Sequence, residues 1–182
     1  KKRKYLKVLN KLELRDNDRK ILIEPNEFNF EVGFELNYSN NVIGKQKNII
    51  NFMKDNLEDV FSSRTFCLFE DIEKIKKIGL AKGGSLDNAL VVDDKKIINV
   101  GGLRNKKEFV NHKILDLAGD FLLSGYRILG KVSCYQGGHQ LSNMFLRKLL
   151  KSKSSFAEIE MEDVKIPKET PIIQPDKIAV NA

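Results

Sequence analysis

Apolar and polar residues alternate between positions 28 and 38: Phe28, Phe30, Val32, Phe34, Leu36 and Tyr38 interleave with Asn29, Glu31, Gly33, Glu35 and Asn37. A period of two sustained that long predicts a strand with one buried face and one wet face. Shorter strands are predicted at Leu6/Val8, Leu12/Leu14 and Ile21/Ile23, with turn signals at Asp16-Asn17-Asp18 and Pro25-Asn26. Residues 46–52 read as a further strand, and Asp55 is placed to cap a helix running to about Ser63.

The pattern changes after Arg64. Residues 64–68 are short and apolar enough for a strand. Ile72, Ile75 and Ile78 then recur at helical spacing, with Gly79 where a left-handed helix terminus is wanted. Strands are expected at 90–92 and 97–100, around a turn at Asp93-Asp94, so that 67–94 forms a small βαβ unit. Next come a long helix over about 107–123 closed by Gly125, a strand at 128–135, a break at Gly137-Gly138 and an amphipathic helix over 141–150. Ala157, Ile159 and Met161 alternate once more before a proline-punctuated tail. Strands first, then strands mixed with helices, argue an α+β fold: a mostly antiparallel sheet packed against two helices, with the βαβ unit projecting as an insert.

With 182 residues the chain has room for one good-sized domain. Its 41% hydrophobic and 31% charged residues exclude disorder as the main reading, and no stretch approaches the ~18 consecutive apolar residues of a membrane helix. An apparent leader at the start is interrupted by Lys7, Asn10 and Lys11. Cys67 and Cys134 make neither a disulfide framework nor a zinc cluster, which points to a cytoplasmic protein. The 32 basic and 25 acidic residues give a net charge of +7, but the lysines fall in short runs without interleaved aromatics. A solvated surface explains them better than a nucleic-acid footprint. The chain opens on Lys rather than Met, as a piece of something longer would.

The long helix carries the chemistry. At 100° per residue, Val110, Ile114, Leu117, Ala118 and Phe121 share one side, while His112, Asp116 and Asp120, spaced i, i+4, i+8, share roughly the opposite one. Two metal-capable side chains four apart can bind one ion, although a wet helix face accounts for the same pattern. His139, the second of the two histidines, precedes the next helix. The dipole there disfavours an imidazolium unless a carboxylate compensates, and Asp120 is the candidate. These side chains point away from the domain's own core, so the face is expected to stand open unless something else packs on it.

The segment His112-Lys113-Ile114-Leu115-Asp116-Leu117-Ala118-Gly119-Asp120 resembles the H-K-x-x-D-x-x-G-D segment of the UDP-3-O-acyl-N-acetylglucosamine deacetylase (LpxC) family, the zinc enzymes of lipid A synthesis in Gram-negative bacteria. The resemblance extends, in the family's order and spacing, to Arg64-Thr65-Phe66, Gly79-Leu80-Ala81-Lys82-Gly83-Gly84-Ser85, Asn88-Ala89-Leu90-Val91-Val92-Asp93-Asp94, Gly102-Leu103-Arg104 and Gly138-His139. It spans 1–182, more loosely over the first sixty residues or so, and matches only the family's second, C-terminal domain. Gln136-Gly137-Gly138-His139 stands where family members more often carry Lys-Ser-Gly-His.

Carried over residue by residue, the resemblance makes His112 and Asp116 ligands of one catalytic Zn2+. His139 becomes the acid that stabilises the oxyanion and protonates the leaving amine, and Asp120 the carboxylate that keeps it charged. Thr65 would donate a hydrogen bond near the tetrahedral intermediate. Lys113 would meet substrate charge, Phe66 would line the sugar site, and the insert at 67–94, with Leu68, Ile72, Ala81, Gly84 and Ser85, would form the acyl passage. The family's N-terminal domain supplies a third zinc ligand and the general base, so that domain is an expected partner beside the UDP-3-O-acyl-N-acetylglucosamine substrate. Neither nucleic acid nor a transmembrane segment is expected, though peripheral proximity to a membrane is. Two other readings use this chain alone: a non-haem metal enzyme built on a His112/Asp116/His139 triad, and a basic binding module without catalysis.

Overall fold

A computed structural model describes residues 2–162; the proline-punctuated tail lies outside the described residues. The chain folds into an α+β domain whose seven-stranded sheet carries helices α3 (Glu108–Leu122) and α4 (His139–Lys151). Its strands are β1 (Lys2–Val8), β2 (Leu12–Asp16), β3 (Arg19–Glu24), β4 (Phe30–Asn37), β5 (Lys45–Asn51), β8 (Arg127–Tyr135) and β9 (Phe156–Glu162). Four pairings are antiparallel, β1–β9, β2–β3, β3–β8 and β4–β5, and two are parallel, β1–β8 and β4–β8. The central strand is β8, whose Val132 pairs with Ile23 of β3 and Val32 of β4.

The alternation in β4 works as expected, with Val32, Phe34 and Leu36 buried and Phe28 left exposed ahead of the strand. These side chains meet the apolar stripe of α3, Val110, Ile114, Leu117, Ala118 and Phe121, all buried. Helix α3 lies on β4 and β5, α4 lies on β3 and β2, and the two helices touch. Phe121 of α3 stacks on Phe145 of α4 with centroids 6.0 Å apart. Gly125 takes φ +80° just past the end of α3, which lets the chain reverse into β8.

A second sheet pairs β6 (Thr65–Leu68) with β7 (Ala89–Val92) in parallel, with α2 (Ile72–Lys77) between them, and Gly79 closes that helix at φ +76°. This is the expected βαβ insert. Three local expectations differ. Residues 97–100 form no strand: after a single bridge from Ile97 to Val92, the Asn99 side chain takes over the ladder. Its Oδ1 accepts from Val91 N at 2.8 Å and its Nδ2 donates to Ala89 O at 2.8 Å. Asp55 does not cap α1 (Glu58–Phe61); it accepts from Asn51 N instead, and Asn56 Oδ1 accepts from Glu58 N at the helix start. Helix α4 begins at His139 rather than 141, because the extended Gly138 already accepts the first helical bond, from Ser142 N at 3.0 Å.

Candidate active site

Helix α3 carries His112, Lys113, Asp116 and Asp120, and the last two lie against His139, the first residue of α4. His112 Nδ1 lies 3.2 Å from Ser63 O. A carbonyl only accepts, so Nδ1 carries a proton, and Nε2 is the nitrogen that faces Asp116 Oδ1 at 3.3 Å. Two acceptors that close repel unless a proton or cation lies between them. Tetrahedral zinc with bonds of about 2.0–2.1 Å separates its ligand atoms by about 3.3–3.4 Å, so this donor pair fits one edge of such a site. The carbonyl that fixes the ring is the kind of support metal-ligating histidines have.

His139 is held differently. Both oxygens of Asp120 lie 3.0 Å from its Nδ1, so that nitrogen donates to the carboxylate, while Nε2 stands 3.9 Å from Asp116 Oδ2. As the first residue of α4 the ring sits at the positive end of the helix dipole, and the carboxylate is what makes a charged imidazole tenable there. Lys113 Nζ lies 3.2 Å from Asp116 Oδ2 and 5.9 Å from the centroid of Phe66.

His112, Asp116 and Asp120 are only 15%, 20% and 18% exposed, against 69% for His139. The face is therefore less open than its place on the helix wheel suggests: Ser63, Lys113 and His139 close over it. Phe66 is half-buried between Tyr38 and Phe109, with centroids 5.7 and 5.0 Å away, and so belongs partly to the core. Thr65 is exposed at the start of β6, two residues after the His112 acceptor. Leu68 and Ile72 are half-buried on the insert, and Ala81, Gly84 and Ser85 are exposed in its loop, where Ala81 takes φ +53° and its carbonyl accepts from Gly84 N.

Among the described residues, no three His, Cys, Asp or Glu side chains form a metal-holding group. The His112/Asp116/His139 set is not such a group, with His139 Nε2 3.9 Å from Asp116 Oδ2. Two features escaped the sequence reading. The larger exposed apolar side chains of the insert are Phe69, Ile78, Leu80 and Leu86, which local hydrophobicity alone would have flagged. Glu108 is wholly buried against Arg64, for which a carboxylate in a helix's first turn gives no signal.

A model of the family described as UDP-3-O-acyl N-acetylglycosamine deacetylase matches residues 1–151, so β9 lies beyond the matched part. Three curated relatives named UDP-3-O-acyl-N-acetylglucosamine deacetylase share that likeness. The one from Nitratiruptor sp. is 39% identical over 87% of this chain and 53% of its own length. The one from Campylobacter fetus is 38% identical over 90% and 55%, and the one from Nautilia profundicola 40% over 81% and 50%. The chain thus spans about half the length of the curated relatives it matches. No helix among the described residues is long and apolar enough to cross a membrane. On the extent of the family match and the identity to these relatives, the chain belongs to the UDP-3-O-acyl-N-acetylglucosamine deacetylase family.

Proposed function

We propose that this chain forms the C-terminal half of a cytoplasmic, zinc-dependent enzyme that removes the N-acetyl group of UDP-3-O-acyl-N-acetylglucosamine in lipid A synthesis. His112 Nε2 and Asp116 hold the ion. A third ligand and the base that takes a proton from water are expected from the part of the enzyme the chain does not span. An ion held there would supply Lewis acidity, enough to lower the pKa of a water towards ~7 and to polarise the amide carbonyl.

The chain's own residues supply the acid. Asp120 holds His139 by Nδ1, which leaves the Nε2 proton directed at the space beside Asp116. As the amide C–N bond breaks, its electron pair goes to nitrogen and His139 Nε2 supplies the proton that makes the amine a leaving group. Before that, the same charge stabilises the oxyanion of the tetrahedral intermediate, assisted by the Thr65 hydroxyl. Lys113 balances Asp116 and lies near Phe66, where a sugar and its anionic substituents would be bound. The insert's apolar residues receive the acyl chain.

The observation that carries this reading is the split between the two histidines: one has its free nitrogen against a carboxylate at 3.3 Å, and the other has a carboxylate on its far side at 3.0 Å. The test is His139→Ala in the full-length enzyme. Turnover should fall on the order of 10²-fold or more with zinc content unchanged. Loss of the metal instead would make His139 a ligand and sink the acid assignment.

A further inference from the structure

Glu108 and His112 stand one turn apart on α3 and grip the two ends of a single peptide bond. His112 Nδ1 donates to the carbonyl of Ser63 at 3.2 Å, and the amide N–H of that same bond, Arg64 N, donates to Glu108 Oε1 at 3.1 Å. The Glu108 carboxylate is fully buried and fully used. It also receives Arg64 Nε at 2.8 Å, Arg64 Nη2 at 3.3 Å and Arg104 N at 2.5 Å. Arg64 Nη2 reaches on to Gly102 O at 2.7 Å, and Arg104 Nη1 to Ser62 O at 2.7 Å. Both ends of the peptide are therefore tied to α3 by hydrogen bonds.

We infer that Glu108 is a positioning residue for His112: through the Ser63–Arg64 peptide it places the carbonyl that keeps the proton on Nδ1 and the lone pair on Nε2. The inference rests on the reading of His112 as a metal ligand. Its physical basis is twofold. An acceptor on the N–H end of an amide polarises the carbonyl end and strengthens the bond it accepts. A supporting partner on the far nitrogen of a ligating imidazole fixes its tautomer and ring plane, and losing such a partner weakens metal binding about 10–100-fold.

Removing Glu108 alone would strand a buried guanidinium, so the test compares two double variants that both remove the ion pair. Arg64→Met with Glu108→Met keeps the volume but leaves no acceptor for the amide N–H. Arg64→Met with Glu108→Gln restores an acceptor oxygen. Zinc affinity is measured on the chain by competition with a chromophoric chelator, with Asp116→Ala as reference. The Met/Met variant should bind zinc about 10–100-fold more weakly and the Met/Gln variant within a few-fold of the parent. A residue important only for folding would affect both alike, and equal affinities overturn the inference.

The His112 Nδ1 proton, followed by nitrogen-15 NMR without metal, gives a second readout. It should be protected from exchange in the parent and in Met/Gln, and exposed in Met/Met. Should Asp116→Ala leave zinc binding untouched, the metal reading fails and the NMR pattern alone decides: the stated pattern supports the positioning role, and one common to all three proteins overturns it.

Discussion

Asp120 sets both carboxylate oxygens 3.0 Å from Nδ1 of His139, a residue from the next helix and nineteen positions further along the chain. The contact joins the last turn of α3 to the first residue of α4 and orients the imidazole, and on the proposed reading it supports His139 as the acid. Asp120→Asn should therefore lower kcat by on the order of 10²-fold, with KM little changed. Because the two residues act as a unit, Asp120→Asn combined with His139→Ala should be no slower than His139→Ala alone. Additive losses in this cycle would mean that Asp120 has a separate role.

The turn that delivers His139 depends on a packing match. A Cβ at position 137 would overlap Cys134 Sγ, which lies beneath the turn. Gly137→Ser should therefore destabilise the chain by about 1–3 kcal/mol, as overpacking does. Cys134→Ala vacates that space, so adding it should recover most of the loss in chemical denaturation. Failure to recover would show that the backbone, and not the thiol, excludes a side chain.

Burial pushes the Cys134 thiol up to about 12, against smaller opposing effects of the Gly137 N–H and the Lys113 charge. At pH 8 almost none is thiolate, and the thiolate is the nucleophile. Iodoacetamide should leave Cys134 unmodified in the folded chain and alkylate it only on unfolding. Cys67 is also raised, by partial burial and then by Asp71, but it is only half-buried, so it should react slowly without denaturant. Peptide mass spectrometry over time separates the two.

Burial raises the pKa of Glu108, but hydrogen bonds from the Arg64 side chain, Arg104 N and Arg64 N outweigh it and hold the carboxyl below its ordinary 4.5. A group with a depressed folded pKa contributes stability that is fully present above its unfolded value and lost as pH falls through the folded one. Urea midpoints should hold from pH 7 to about 5 and then drop, and the drop should be shallower in the Arg64→Met/Glu108→Met variant. At neutral pH, Glu108→Ala alone should cost about 3–5 kcal/mol, since it leaves Arg64 charged and unpaired.

On the proposed reading the chain supplies two zinc ligands, His112 and Asp116, fewer than the three protein ligands a catalytic zinc site ordinarily has. The 182-residue chain alone should therefore hold zinc weakly, lose it on gel filtration and show no deacetylase turnover. Stoichiometric zinc with normal turnover would show that the chain supplies a complete site by itself.

Periodic features were legible in the sequence because they repeat locally. The alternation of Val32, Phe34 and Leu36 and the helical spacing of Val110, Ile114, Leu117 and Phe121 each decide a buried face without reference to anything distant. Gly79 and Gly125 marked helix ends for the same reason, since a positive φ is a property of one residue. The spacing of His112, Asp116 and Asp120 likewise puts them on one face through the helical repeat alone.

Pairings between distant segments were not legible. Residues 97–100 have a strand's composition, yet Asn99 reaches back to Val91 and Ala89 and replaces a ladder with one side chain. Glu108 reads as an ordinary first-turn carboxylate and becomes a buried anion only because Arg64, forty-four residues earlier, lies against it. The sequence by itself determined which side chains could carry the chemistry and which helix face they share, since both follow from residue type and the helical repeat. Only the tertiary structure decided that His112 has the Ser63 carbonyl behind it and brought the Asp120 carboxylate, already a candidate from the sequence, behind His139, so that both rings offer Nε2 but with a neutral partner behind one and a charged partner behind the other. A histidine's free nitrogen is settled by what its other nitrogen touches, and here those partners come from other segments of the fold.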